Sequence, residues 1–165
     1  MKLTWIAVLV LAAAGGIFWA FQRASGSPGF DIDRFREAVT KLQQVNAISE
    51  QKLGSTGGVV LPDELQKLMQ LDREFYTSLG ELLQKPAQDC QEAQVSIVGL
   101  HAEYLAKRQQ AAGRLSVSQV TVGMGMAMNK MLVEILPPLV PPAETFVRTC
   151  PKESRVLKPI LLGEK

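Results

Sequence analysis

The sequence has few of the residues that carry chemistry. Histidine occurs once and cysteine twice in 165 residues. A general base, an imidazole metal site or a nucleophile triad would therefore all depend on His101. No G-x-S-x-G stretch prepares a serine nucleophile. Cys90 and Cys150 stand far apart, so the C-x-x-C arrangement of dithiol redox sites is missing. No cysteine stands directly after the first apolar segment either, which removes the usual bacterial lipoprotein attachment. A surplus of positive charge is also lacking. With Lys2 and Arg23 of the first segment set aside, Lys and Arg match the 16 acidic residues one for one. Nucleic-acid binders need a basic excess or patch to displace counterions from phosphates, and no run of residues here makes one. Nothing in the chain nominates a catalytic residue or a cofactor.

What is present begins with Leu3 to Phe21, which holds no charge and only Thr4 as a polar residue. At about 1.5 Å per residue the stretch covers roughly 28 Å, close to the hydrocarbon thickness of a bilayer. Trp5 and Trp19 stand near its two ends, as interfacial aromatics do. Lys2 favours a cytoplasmic N-terminus, weakly opposed by Arg23. A cleaved signal peptide has a shorter apolar region followed by small residues, and Ala12-Ala13-Ala14 or Ala24-Ser25-Gly26 could supply that site. Cutting after Ala14 would leave Ile17 to Phe21 as an apolar stub, so a retained anchor is the better reading. The expected organisation is a membrane anchor or uncleaved signal over residues 1–23 and a flexible Gly/Ser/Pro linker over 24–30. An extracytoplasmic helical domain over 31–150 and an irregular tail over 151–165 follow. The expected location is a single pass through the inner (cytoplasmic) membrane, with the domain in the periplasm or extracellular space.

The rest reads as all-α, most simply an up-down bundle of three or four helices. Ile32, Phe35, Val39, Leu42 and Val45 recur at helical steps, with Asp31 and Asp33 at the N-terminus and Gly54 as a stop. A second helix opens at Leu61-Pro62-Asp63-Glu64. It carries the stripe Leu61, Leu65, Leu68, Leu71, Phe75, Leu79 and Leu82 as far as Lys85-Pro86. A third runs to Ala112 with Gly113 after it, its apolar face being Ile97, Leu100, Tyr104 and Leu105 with His101 inside the stripe. Ser116 and Gln119 form a capping box for a fourth helix that ends before Pro137-Pro138. The PPLVPP stretch reads as stiff and extended, followed by a short helix from Pro142 to Thr149. Asp31 with Asp33, and Asp72 with Glu74, read as charges at helix starts or on solvent faces.

Cys90 and Cys150 form an even pair, and an oxidising compartment would join them in a disulfide closing a loop of about 60 residues. His101 reads as a packed or boundary histidine, since Glu103, two residues on, points elsewhere on a helix. The most unusual stretch is Val120 to Met131, with Met124, Met126, Met128 and Met131. Thioethers fill irregular cores, repack against varied partners, and bind Cu(I). These residues are therefore core, a partner surface (Met124, Met126, Met128 and Met131), or metal ligands (Met124, Met128 and Met131). Leu115-Ser116-Val117-Ser118-Gln119 resembles the L-T-x-x-Q signature of small periplasmic helical stress proteins. It has Ser for Thr and one copy where that family has two; the capping box accounts for it equally, and no membership is drawn. The functional expectation is a membrane-anchored helical interaction or adaptor protein without catalysis. Its partners would be the membrane through residues 3–21 and a protein or a second copy. The alternative is a Cu(I) or small-ligand binder using residues 124–131.

Overall fold

A computed structural model describes residues 29–53, 61–85, 89–113 and 122–164. The anchor segment, most of the linker, the capping box and the resembling pentapeptide lie outside them. Among the described residues no helix is long and apolar enough to cross a membrane. They form five α-helices and no strand: α1 (Ile32–Leu53), α2 (Asp63–Gln84), α3 (Cys90–Ala112), α4 (Val122–Ile135) and α5 (Val140–Thr149).

Local chemistry explains where the helices begin. The Asp31 carboxylate accepts from the Arg34 amide at 3.0 Å, capping α1. Phe30, just before that cap, is buried and its ring lies 5.9 Å from that of Phe35. This is a hydrophobic staple, in which the residue before the cap packs on the fourth helical residue. Phe30 therefore belongs to the core and not to the linker expected over 24–30. The Asp89 carboxylate caps α3 by accepting from the Gln91 amide at 2.8 Å. The α2 helix opens on Pro62, whose carbonyl accepts from the amides of Leu65 and Gln66.

Two expectations about the C-terminal third are corrected. The PPLVPP stretch is helical and not extended: Pro137–Leu139 make a 3₁₀ turn and Val140 starts α5. The prolines stand in first turns, where a missing N–H costs nothing because those amides have no helical acceptor. The described residues 151–164 do not form the irregular tail expected over 151–165. Glu153–Val156 form a 3₁₀ turn and Lys158–Leu162 a π-type turn, with Leu157, Ile160 and Leu162 buried. Short turns with varying periodicity hide an apolar face that a 3.6-residue pattern would reveal.

The main core gathers Phe30, Phe35 and Val39 from the start of the domain and Phe75, Leu79 and Leu83 from α2. Ile97 of α3, Phe146 of α5, and Leu157 and Ile160 of the tail complete it. The most extensive packing joins α2 to α3, and α2 also meets α4 and α5. The α1 helix packs on α4 and α5. Its partners are thus distant in sequence, unlike the simplest up-down order in which each helix lies beside its predecessor. Gly80 allows close approach of the following turn: a Cβ there would lie 3.0 Å from a Leu139 methyl. At the far end Arg34 of α1 forms an ion pair with Glu164, which also meets Lys158 at 3.3 Å.

A core role for the tail has a measurable cost. Leu157→Ala should destabilise the protein by about 2–4 kcal/mol in urea unfolding, as Leu79→Ala should. Leu105→Ala, on an exposed face, should change stability by about 0.5 kcal/mol or less. A Leu157→Ala effect no larger than that of Leu105→Ala would remove the tail from the core.

Candidate interaction surface

The residues that looked most suited to chemistry are mostly built into the packing. Cys90 and Cys150 are joined as a disulfide, with Cα atoms 5.5 Å apart. A Glu153 carboxylate oxygen and the two sulfurs lie within 4.8 Å of one another. The sulfurs are bonded to each other, so no thiolate is available there for a metal.

Asp72 corrects the surface reading given to it: only 3% of it is exposed. Its carboxylate accepts from the Tyr104 hydroxyl at 2.8 Å and from Arg108 Nε at 3.2 Å. Leu65, Leu68, Asp72, Phe75 and Leu79 form the true inward stripe of α2, and Leu71 and Leu82 sit to its side. The signal lay on the partner helix, where Tyr104 and Arg108 are four residues apart and so share a face. Two donors on one face call for an acceptor opposite. The Tyr104 ring stacks on Phe75 at 4.0 Å, and burial, then the Asp72 hydrogen bond, pushes its phenol well above the usual range. Burial, followed by the Asp72 charge, pushes Tyr76 up to about 12. These phenols stay protonated at neutral pH. The cluster is a charge-assisted pin between α2 and α3, and none of its hydroxyls is prepared as a base.

His101 is half-buried beside this pin, its ring 5.8 Å from that of Phe75. Among the described residues no carboxylate pairs with it. A groove of about 320 Å³ runs between α2 and α3 past Lys67, Gln70, Leu71, Glu74, Lys107 and Gln110. Two of its three charged side chains are engaged locally: Lys107 meets Glu103 at 2.6 Å, and Gln70 donates to Glu74 at 2.8 Å.

The methionines divide. Met124 and Met131 are buried, while Met126 and Met128 are half-exposed. Met124 and Met128 join Met69 of α2, which the sequence reading did not consider, around Leu65 and Leu68 in a second, smaller core. A surface made of all four α4 methionines does not exist in this fold, because the helix turns two of them inward.

Four large apolar residues are exposed among those described: Ile48 on α1, and three together on α3. Val95 is 67% exposed, and Val98 and Leu105 are each 49% exposed. Gly99, Ala102 and Ala106 are exposed beside them. Leu105 was expected to face inward with Ile97 and Tyr104; the helix instead buries Ile97 and leaves Leu105, about 80° round from it, exposed. Two faces of α3 are thus apolar, and its core contact uses one. At about 100° per residue, Val95, Val98, Ala102 and Leu105 fall within about 80° of one another. They make one stripe, free of charge along its length.

Burial depresses the His101 pKa below its ordinary 6.5. The folded state therefore disfavours the imidazolium. The contribution is present above pH 6.5 and is lost as pH falls through the lower folded value. The melting temperature should fall between about pH 7 and pH 5, and His101→Gln should make that fall shallower. An unchanged slope in the variant would show that other groups set it.

Comparison with protein-family models, with curated proteins and with solved structures yields no match for this chain.

Proposed function

We propose that this protein is a membrane-anchored, extracytoplasmic helical interaction protein without catalytic activity, held by residues 3–21 and meeting its partner through the outer face of α3. The observation that carries the reading is the exposed stripe of Val95, Val98, Ala102 and Leu105. Contiguous apolar surface on a small domain has a cost in solubility and marks a site that is covered in use. The disulfide supports an oxidising compartment, which agrees with a domain on the far side of a membrane. The protonated phenols, the half-buried His101 with no carboxylate paired to it among the described residues, and the pairing of Lys107 with Glu103 support binding over catalysis.

A photo-cross-linking residue placed at Leu105 in the full chain should give a covalent protein adduct in intact cells. The same residue at Glu103, on the polar side of α3, should not. The protein should remain in the membrane after alkaline extraction. Absence of any adduct at Leu105 would sink the interaction reading, and release from the membrane would sink the anchor.

A second reading, Cu(I) binding, draws support from Met69 of α2 and Met128 of α4 packing against the same small core that holds Met124, which gives that core three soft thioethers from two helices. Changing these three to Leu should abolish Cu(I) binding in a competition titration. Equal affinity in the variant would remove this alternative.

A further inference from the structure

Resting on the reading of α3 as the partner surface, we propose that the partner is a second copy of this chain, packed antiparallel along the same stripe about a two-fold axis. The pattern on α3 reads the same in both directions. Gln91, Val95, Val98, Ala102, Leu105 and Gln109 follow one another at spacings of four, three, four, three and four residues. Alternating steps of three and four are those of a coiled-coil seam. Because the series is symmetric about position 100, a reversed second copy sets Val95 against Leu105 and Val98 against Ala102. At each end the amides of Gln91 and Gln109 meet one another. Every apolar residue thus faces an apolar residue, and each end is closed by side chains that both donate and accept. This self-complementarity is what an isologous two-fold interface requires.

Three further observations favour a copy over a charged or bulky partner. The seam carries no charge that a partner's opposite charge would answer. Gly99, Ala102 and Ala106 keep one side of it low, and a Cβ on Gly99 would meet nothing within 4 Å. Two helices can therefore approach closely there, as small residues allow. The antiparallel sense opposes the two helix dipoles, whereas a parallel pair would align them. Size sets the strength. The apolar part of the seam, Val95 to Leu105, spans about three turns, or roughly 15 Å, and stable complexes cover about 800 Å² on each partner. The dimer should therefore be weak, with a dissociation constant in the micromolar range or above.

The test is sedimentation equilibrium of the full chain in detergent micelles across a concentration series. The chain should show a monomer–dimer equilibrium, and Ala102→Glu should weaken it by roughly tenfold or more by burying charge at the axis. The double variant Gln91→Glu with Gln109→Lys is the specific arm. In an antiparallel pair it sets the new carboxylate of one copy beside the new ammonium of the other, so dimerisation should strengthen. In a parallel pair it sets like charges together, so a weaker dimer overturns the antiparallel arrangement. Both positions are exposed, and each charge suits its end of the helix, so folding is retained. A dimer unmoved by Ala102→Glu uses another face, and that result overturns the proposal. A chain that stays monomeric throughout also overturns it. In the monomeric case, an adduct to a different protein at Leu105 leaves the interaction reading standing, and no adduct there ends both.

Discussion

The bond between Cys90 and Cys150 is the constraint on which the domain's arrangement depends. It ties the first residue of α3 to the residue that ends α5, across 60 positions of chain. Closing a loop of that length removes about 4 kcal/mol of disorder from the unfolded chain in the entropy model. The bond also fixes where the last segment must start. From Cys150 the chain turns directly into the 3₁₀ turn that packs on α3. Leu157 and Ile160 then lie within reach of the same core as Phe35 and Phe75. Without that starting point, two short non-α turns would have little of their own to hold them in place.

The second constraint is polar. Asp72, Tyr104 and Arg108 fix the register between α2 and α3, the most extensive helix pair in the fold. A buried carboxylate is tolerable only with donors aimed at it, and those donors exist at one rotation of α3. That rotation presents Ile97 and Leu100 to the core. It also leaves Val95, Val98 and Leu105 on the outside. The exposed stripe is therefore a result of the pin: turning it inward would unpair Asp72.

How far the fold was legible depended on the kind of signal. The stretches with a 3.6-residue period, α1 and α2, gave their limits and most of their inward residues, and the even count of two cysteines allowed the pairing. Phe30 was readable as well, since an apolar residue before a capping Asp and four helical positions ahead of Phe35 is a staple. The tail was not, because its buried residues follow the spacing of 3₁₀ and π turns. The two faces of α3 were confused for a different reason. When both sides of a helix are apolar, periodicity cannot say which one the core takes. The answer lay in Asp72 on another helix, a relation between segments that no single window contains. For the same reason the methionines, whose composition stood out, drew the expectation of a partner surface, and the exposed stripe of α3 did not.

The contact between Arg34 and Glu164 has a geometric consequence. It closes the domain on itself, so that the chain enters and leaves at one pole; Gly29 lies against the Pro151 carbonyl on the same side, a Cβ there falling 3.6 Å from it. Labels placed at Gly29 and at Glu164 would therefore report from that one pole.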